Sequence, residues 1–353
     1  NSVAVGKGAN SVSNNTVLGE AALDAAVTGN NNVAIGASSL TENTSGAENS
    51  GVGTGALANN TTGSNNTGIG RRALRDNTTA SNNTAVGKDA LFANTTGQYN
   101  TALGSNSLDA NTTASSNAAV GSGTLSATTT GSNNTALGTF ALEANTTASN
   151  NTAVGYAAML ANTTGTRNTA VGANALDANT TGSHNVAVGA GATLSANTSG
   201  IYNVAIGDSA LSANTTANQN VAVGFGTLLT NTTGAGNTGL GHSALFSSTT
   251  SSNNTAVGNL ALYANTTGHS NVAVGSNALD ANTTANNNTA IGKDALTENT
   301  TGAQNTAIGK AALQVNTTGT DNTAVGVAAL DANTTGSTNT AVGYNSLTDN
   351  TTG

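Results

Sequence analysis

The chain has 353 residues and a formal net charge of −8, with no Pro, Cys or Trp and only 7% charged residues. A net negative charge disfavours nucleic acid, whose phosphates are met by clustered Lys and Arg, and no apolar run approaches the length needed to cross a membrane. Low charge and abundant Gly, Asn and Thr also suit a disordered tract, but apolar residues recur here at fixed offsets, which a linker does not need.

In chain order, the opening stretch Asn1-Ser2-Val3-Ala4-Val5-Gly6-Lys7-Gly8-Ala9-Asn10-Ser11-Val12-Ser13 is a short coil within residues 1–18. From Gly19 onward a 17-residue pattern takes over and holds to residue 353. A representative copy is Asn83-Thr84-Ala85-Val86-Gly87-Lys88-Asp89-Ala90-Leu91-Phe92-Ala93-Asn94-Thr95-Thr96-Gly97, followed by the spacers Gln98 and Tyr99. The period slips once, by a single residue, within 190–193. A fixed short period over hundreds of residues predicts a repeat architecture: one continuous domain over 1–353, about 21 coils long. The fold class expected is all-β, a parallel β-solenoid (β-roll). The segment starts and stops inside the pattern, which reads as a piece of something longer.

Within a coil, Thr84-Ala85-Val86 reads as a strand ending at the turn glycine, and Ala90-Leu91 as a looser strand or extended turn. A helix is excluded there, because four residues between Gly and Asn-Thr-Thr cannot nucleate one. Thr and Val are two apart and share a face. Taking that face as inward makes Val86, Leu91, Leu142 and Val154 core residues. Every charged residue falls one, two, five, six, eleven or twelve residues after the glycine, and no charged or aromatic residue occupies the strand, the leucine or the Asn-Thr-Thr, so each coil has a fixed inside and a free outside. A bore without rings is a narrow one.

Asparagine recurs four residues before the turn glycine (Asn83, Asn100, Asn117, Asn134) and seven after it (Asn94, Asn111). Stacked asparagines predict a ladder of amide-to-amide hydrogen bonds along the axis. The rival is glycosylation, since Asn94-Thr95-Thr96 matches the N-x-[ST] acceptor. A ladder amide is closed to a transferase, so the two readings exclude each other.

The same alternation turns Ala85, Ala102, Ala119, Ala136 and Ala153 outward. A slot that accepts only Ala or Gly, apart from Val17, then needs a close neighbour along its whole length, and this column is the candidate interface of a homo-oligomer with parallel axes. The alternative is a roll so flattened that Ala faces the opposite side of its own chain, with Val and Thr outward.

The opening coil, with Asn32-Val33-Ala34-Ile35-Gly36 and Asn203-Val204-Ala205-Ile206-Gly207, closely resembles the head repeat of trimeric autotransporter adhesins (the YadA-like head). The resemblance covers the strand motif of essentially every coil and departs from the family in its longer coil. The segment carries the head pattern without the family's neck, coiled-coil stalk or membrane anchor. The resemblance implies a left-handed β-roll, three chains side by side, and a head that binds host matrix or cell surfaces. Longer coils of this kind also look like those of phage tail fibres.

Nothing points to catalysis. His184, His242 and His269 lie in different coils, too scattered for a metal site, and no cofactor-binding motif occurs. The expectation is a non-enzymatic structural and adhesive fibre, extracellular, on a cell surface or in a virion tail fibre. The alternatives are a module that binds carbohydrate or protein through its variable slots, and an ice-binding solenoid, for which two outward threonine columns on one flat strand are expected.

Overall fold

The computed structural model describes residues 5–353; Asn1 to Ala4, the start of the short opening coil, lie outside the described residues. The chain divides into two units, residues up to Thr181 and residues from Gly182, and each is a parallel β-solenoid with a 17-residue repeat.

In the first unit three-residue strands run from Thr16–Leu18 to Thr169–Val171, and consecutive strands within it pair in parallel, residue with equivalent residue. Thr84 meets Thr101, Ala85 meets Ala102, and Val86 meets Leu103. The opening strand Val5–Gly6 is different: it pairs antiparallel with Thr16–Leu18, Val5 opposite Leu18 and Gly6 opposite Val17. The short coil therefore doubles back along the sheet edge instead of stacking as the longer coils do.

In the second unit the strands run from Val186–Val188 to Thr340–Val342 with the same parallel register. The extra residue near its start is absorbed in the turn. Ala192 takes a φ of 39° and Gly191 a φ of 71°, Thr193 Oγ1 donates to Gly207 O at 2.9 Å, and Val186 to Val188 still pair in step with Val204 to Ile206.

The phase of the strand alternation is the reverse of the first expectation. Ala85, Ala102, Ala119, Ala136 and Ala153 are all buried, whereas Val86 and Val154 are half-exposed, as are the neighbouring Thr84 and Thr152. Val86 and Val154 are thus not core residues, and the alanine column is not an outer surface. The cause is the opposite side of the same chain. A Cβ placed on Gly68, one rung of this column, would sit 3.3 Å from Leu57 Cγ and 3.1 Å from Ala73 O. There is room for one methyl and nothing larger, so the Ala-or-Gly restriction is an internal packing constraint. The β-branched Thr and Val then stand on the outer surface of the strand, where their backbone preference still favours the pleat.

The core is this alanine column packed against a leucine column. Leu91 and Leu142 are fully buried, and Met159 takes the same place in one coil. The leucine segment is a turn. Leu91 has a φ of 52° and Asp89 a φ of 57°, left-handed values uncommon for bulky residues. They aim backbone N–H groups in opposite directions along the axis, Leu91 N–H to Ser107 O in the next coil and Asp89 N–H to Arg71 O in the previous one, both at 2.9 Å. Intercoil hydrogen bonding compensates the cost of the left-handed backbone.

Candidate functional surfaces

The two asparagine columns form different ladders. In the first, Asn83 Nδ2 donates to Gly97 O at 2.9 Å and its Oδ1 accepts from the Asn100 backbone N–H at 2.9 Å. Asn117 and Asn134 repeat this, donating to Gly131 O and Ala148 O. That column principally bonds amide to backbone, with some additional amide-to-amide contacts such as Asn134 Nδ2 to Asn117 Oδ1 at 3.2 Å. The second column bonds amide to amide: Asn94 Nδ2 donates to Asn77 Oδ1 at 2.9 Å, and Asn111 Nδ2 to Asn94 Oδ1 at 2.8 Å. Asn94 Nδ2 also reaches Gly97 O at 3.0 Å, so both columns converge on one corner carbonyl. In the Asn94-Thr95-Thr96 acceptor motif the asparagine is buried with both amide protons engaged.

Where a ladder rung is replaced, the preceding asparagine loses its donor. Thr128 and Ser248 stand in asparagine slots, and Asn111 Oδ1 and Asn231 Oδ1 are buried without a hydrogen-bond partner among the described residues. Thr128 Oγ1 is turned to Asn145 O at 3.0 Å, and Ser248 to Ser251 at 2.5 Å. Restoring the amide by Thr128→Asn is expected to raise unfolding stability by about 1 kcal/mol, because it satisfies an acceptor already desolvated. Urea unfolding checks this; an unchanged or lower midpoint would show that the column relaxes around the gap.

A third such atom is Asp109 Oδ1. Burial raises the Asp109 pKa above its ordinary value, with hydrogen bonds from Asn106 and from backbone N–H groups opposing the shift. A carboxyl raised on folding costs stability when ionised, and that cost disappears as pH falls through the folded-state pKa. Asp109→Ser, the residue found in the same slot at Ser126, is therefore expected to stabilise the protein at pH 7. The gain should shrink on acidification. A gain that is the same at both pH values would remove ionisation as its cause.

The outer surface of the strands carries two columns, Thr or Val three before the turn glycine and Val, Ile or Leu one before it, with Ser50 and Ala118 as the exceptions in the first. Many of the second column's side chains are substantially exposed, among them Ile69 at 41%, Leu137 at 47% and Leu240 at 47%. Neither column holds a charged or aromatic residue.

Charges and rings occupy the other surfaces and pair along the axis. Phe225 stacks on His242 at 5.3 Å, Phe246 on Tyr263 at 5.2 Å, and His184 on Tyr202 at 4.8 Å between ring centroids. His269 Nδ1 lies 3.4 Å from Ser270 Oγ. Among the described residues no group of three His, Asp or Glu is placed to hold a metal ion. These ring pairs were readable as the same slot filled in consecutive coils, a signal that slot-by-slot inspection passes over.

No family model matches the chain, and no curated protein matches it in sequence.

A second cluster joins Arg72, Arg75, Asp76, Asp89 and Phe92. Arg72 holds Asp89 through Nε at 2.7 Å and Nη2 at 2.8 Å, and Arg75 holds Asp76 through Nε at 2.8 Å and Nη2 at 3.0 Å. Both guanidinium groups lie over the Phe92 ring, at 4.9 and 4.0 Å from its centroid. Burial of Asp89 works to raise its pKa, but the Arg72 hydrogen bond and the charges of Arg72, Lys88 and Arg71 outweigh it and hold the carboxyl below its ordinary value.

Proposed function

We propose that the chain is a segment of an extracellular or cell-surface fibre of adhesin type. Parallel copies pack through their Thr/Val faces and leave the charged and aromatic surfaces outward for a ligand. The β-solenoid repeat fold fits a structural, fibre-like protein. The observation that carries the assembly is the pair of exposed, charge-free columns repeated coil after coil. A surface of aligned Val, Ile and Leu exceeds the scattered apolar exposure of an ordinary monomer. A second copy is the occupant that matches it, because it presents the same columns with the same period, and cyclic symmetry lets each coil meet its own equivalents. The resemblance to adhesin heads makes the number three.

The outward threonines also suit the ice-binding alternative, but the column next to the turn glycine never carries threonine. Residues chosen only from Val, Ile and Leu favour contact with apolar protein over ordered water. No helix among the described residues is long and apolar enough to cross a membrane. The reading contains no catalytic step.

Light scattering on the soluble chain tests it. The expected result is a trimer that dissociates in the double variant Leu137→Arg/Val154→Arg while the strand signal in circular dichroism is kept. A monomeric parent chain, or a trimer indifferent to the double variant, would refute the interface.

A further inference from the structure

The cations are unevenly placed. Of eight Lys and Arg residues, Arg71, Arg72, Arg75 and Lys88 lie in two consecutive coils, in a chain whose net charge is −8. Two carboxylates, Asp76 and Asp89, accompany them, so the patch keeps a surplus of positive charge.

Its arginines are held in place. Arg72 and Arg75 each spend Nε and Nη2 on one carboxylate and rest on Phe92, which leaves the Nη1 edge of each guanidinium to accept a further anion. A guanidinium fixed from behind loses little freedom on binding, and its planar fork matches a sulfate or carboxylate.

Arg71 and Lys88 add an arrangement that folding does not require. They fill the same slot in adjoining coils, where like charges repel. The slot accepts uncharged residues in the coils on either side, Thr54 and Ser105. Arg71 is exposed, and Lys88 Nζ stands 3.6 Å from Asp89 Oδ2, a carboxylate already taken in bidentate fashion by Arg72. Lys293 and Lys310 repeat this pairing in two later coils, so what sets the patch apart is that Arg71 and Lys88 stand beside two arginines already fixed in place, where an anion can meet all four charges.

We propose that Arg71, Arg72, Arg75 and Lys88 bind the sulfate or carboxylate groups of an acidic polysaccharide. The patch is two coils deep, roughly 5 Å from one to the next. It fits one or two acidic groups of a flexible glycan strand. A nucleic acid would lay a longer run of phosphates along a chain that is otherwise acidic. This site gives a ligand class to the outward surface of the fibre reading, and it rests on that reading for its biological setting alone.

Binding is measured by titration calorimetry with heparin, polygalacturonate and uncharged dextran at low salt. Binding of heparin, polygalacturonate or both is expected, with none to dextran; the preferred polymer tells sulfate from carboxylate. Arg71→Thr/Lys88→Ser takes its residues from the neighbouring coils and leaves both arginine–aspartate pairs intact. It is expected to weaken binding at least about tenfold, as loss of two charge contacts does. Lys293→Ser/Lys310→Ser removes two cations from the same slot elsewhere and is expected to stay within about twofold of the parent chain.

No binding to either acidic polymer would overturn the proposal. So would a double variant at Arg71 and Lys88 that binds as the parent does, or equal loss in both double variants, which would mean a response to net charge only. Light scattering on the same samples separates the two ideas. Lost binding by a chain that still associates counts against this site alone, and a chain that binds but does not associate counts against the fibre reading alone.

Discussion

Ala153→Arg is expected to unfold the coils around it, while Val154→Arg, its immediate neighbour, is expected to leave them folded. Ala153 is fully buried and Val154 half-exposed, on opposite surfaces of one three-residue strand. At the equivalent rung Gly68, even a single added carbon comes within 3.3 Å of a core leucine. An arginine at Ala153 would have to bring a charge and six further heavy atoms into that gap with no acidic partner nearby. Burying an unpaired charge and overpacking a tight core act together, and the loss is expected to exceed about 4 kcal/mol. Val154→Arg places its charge in solvent and should change the stability of the single chain by about 0.5 kcal/mol or less. Urea unfolding of the two variants, under conditions where neither associates, checks the contrast. Equal losses would mean that both sides of the strand are packed.

This contrast also marks where the sequence stops being informative. The period, the turn glycine, the buried leucine row and the two asparagine columns follow from spacing, because each slot is filled by one kind of residue in coil after coil. The phase of the strand does not follow. A period of two says that Thr84 and Val86 share a surface but not which surface is inside. The deciding signal was side-chain volume. Ile69, Val86 and Leu103 interchange freely in one column, as an outer surface allows, whereas the column of Ala85 and Ala102 admits almost nothing beyond a methyl, as a packed interior demands. Ascribing that restriction to a neighbouring chain is overturned, and the alternative holds: the alanines face the leucines of their own chain and leave Val and Thr outward. The Arg72–Asp89 pair was hidden for another reason. Its members lie 17 residues apart in sequence and become neighbours only when consecutive coils are stacked.

The two corners of the coil separate backbone conformation from space. Gly87→Ala is expected to cost about 2–3 kcal/mol, and Gly97→Ala about 1 kcal/mol or less. Space alone would rank them the other way. A Cβ on Gly97 would run into Ala114 O even more closely than one on Gly87, which would stand 2.5 Å from Gly104 O. Yet the Gly97 slot holds alanine at Ala80, Ala114, Ala148, Ala217 and Ala285, all buried there. The corner therefore gives way, and it can do so because Gly97 is not among the glycines with positive φ. Gly87 has a φ of 137°, beyond the left-handed helical values that Asp89 and Leu91 tolerate, and from Gly36 onward every equivalent turn glycine except Gly189 has a φ between 120° and 141°. An L side chain there must either rotate the backbone, breaking the Gly87 N–H to Ile69 O bond of 2.8 Å, or press on the next coil's carbonyl. Gly189 tests the logic within this chain. The inserted residue lets its turn follow another path, and positive φ moves to Gly191 and Ala192. Gly189→Ala should accordingly cost less than Gly87→Ala, since only crowding remains there: a Cβ would lie 2.7 Å from Gly207 O and from Thr193 Oγ1, and the threonine hydroxyl can turn aside. Unfolding midpoints in the order Gly97→Ala, Gly189→Ala, Gly87→Ala, from least to most damaging, are the expected result. A Gly87→Ala variant as stable as Gly97→Ala would show that packing space, and not φ, keeps glycine at the turn.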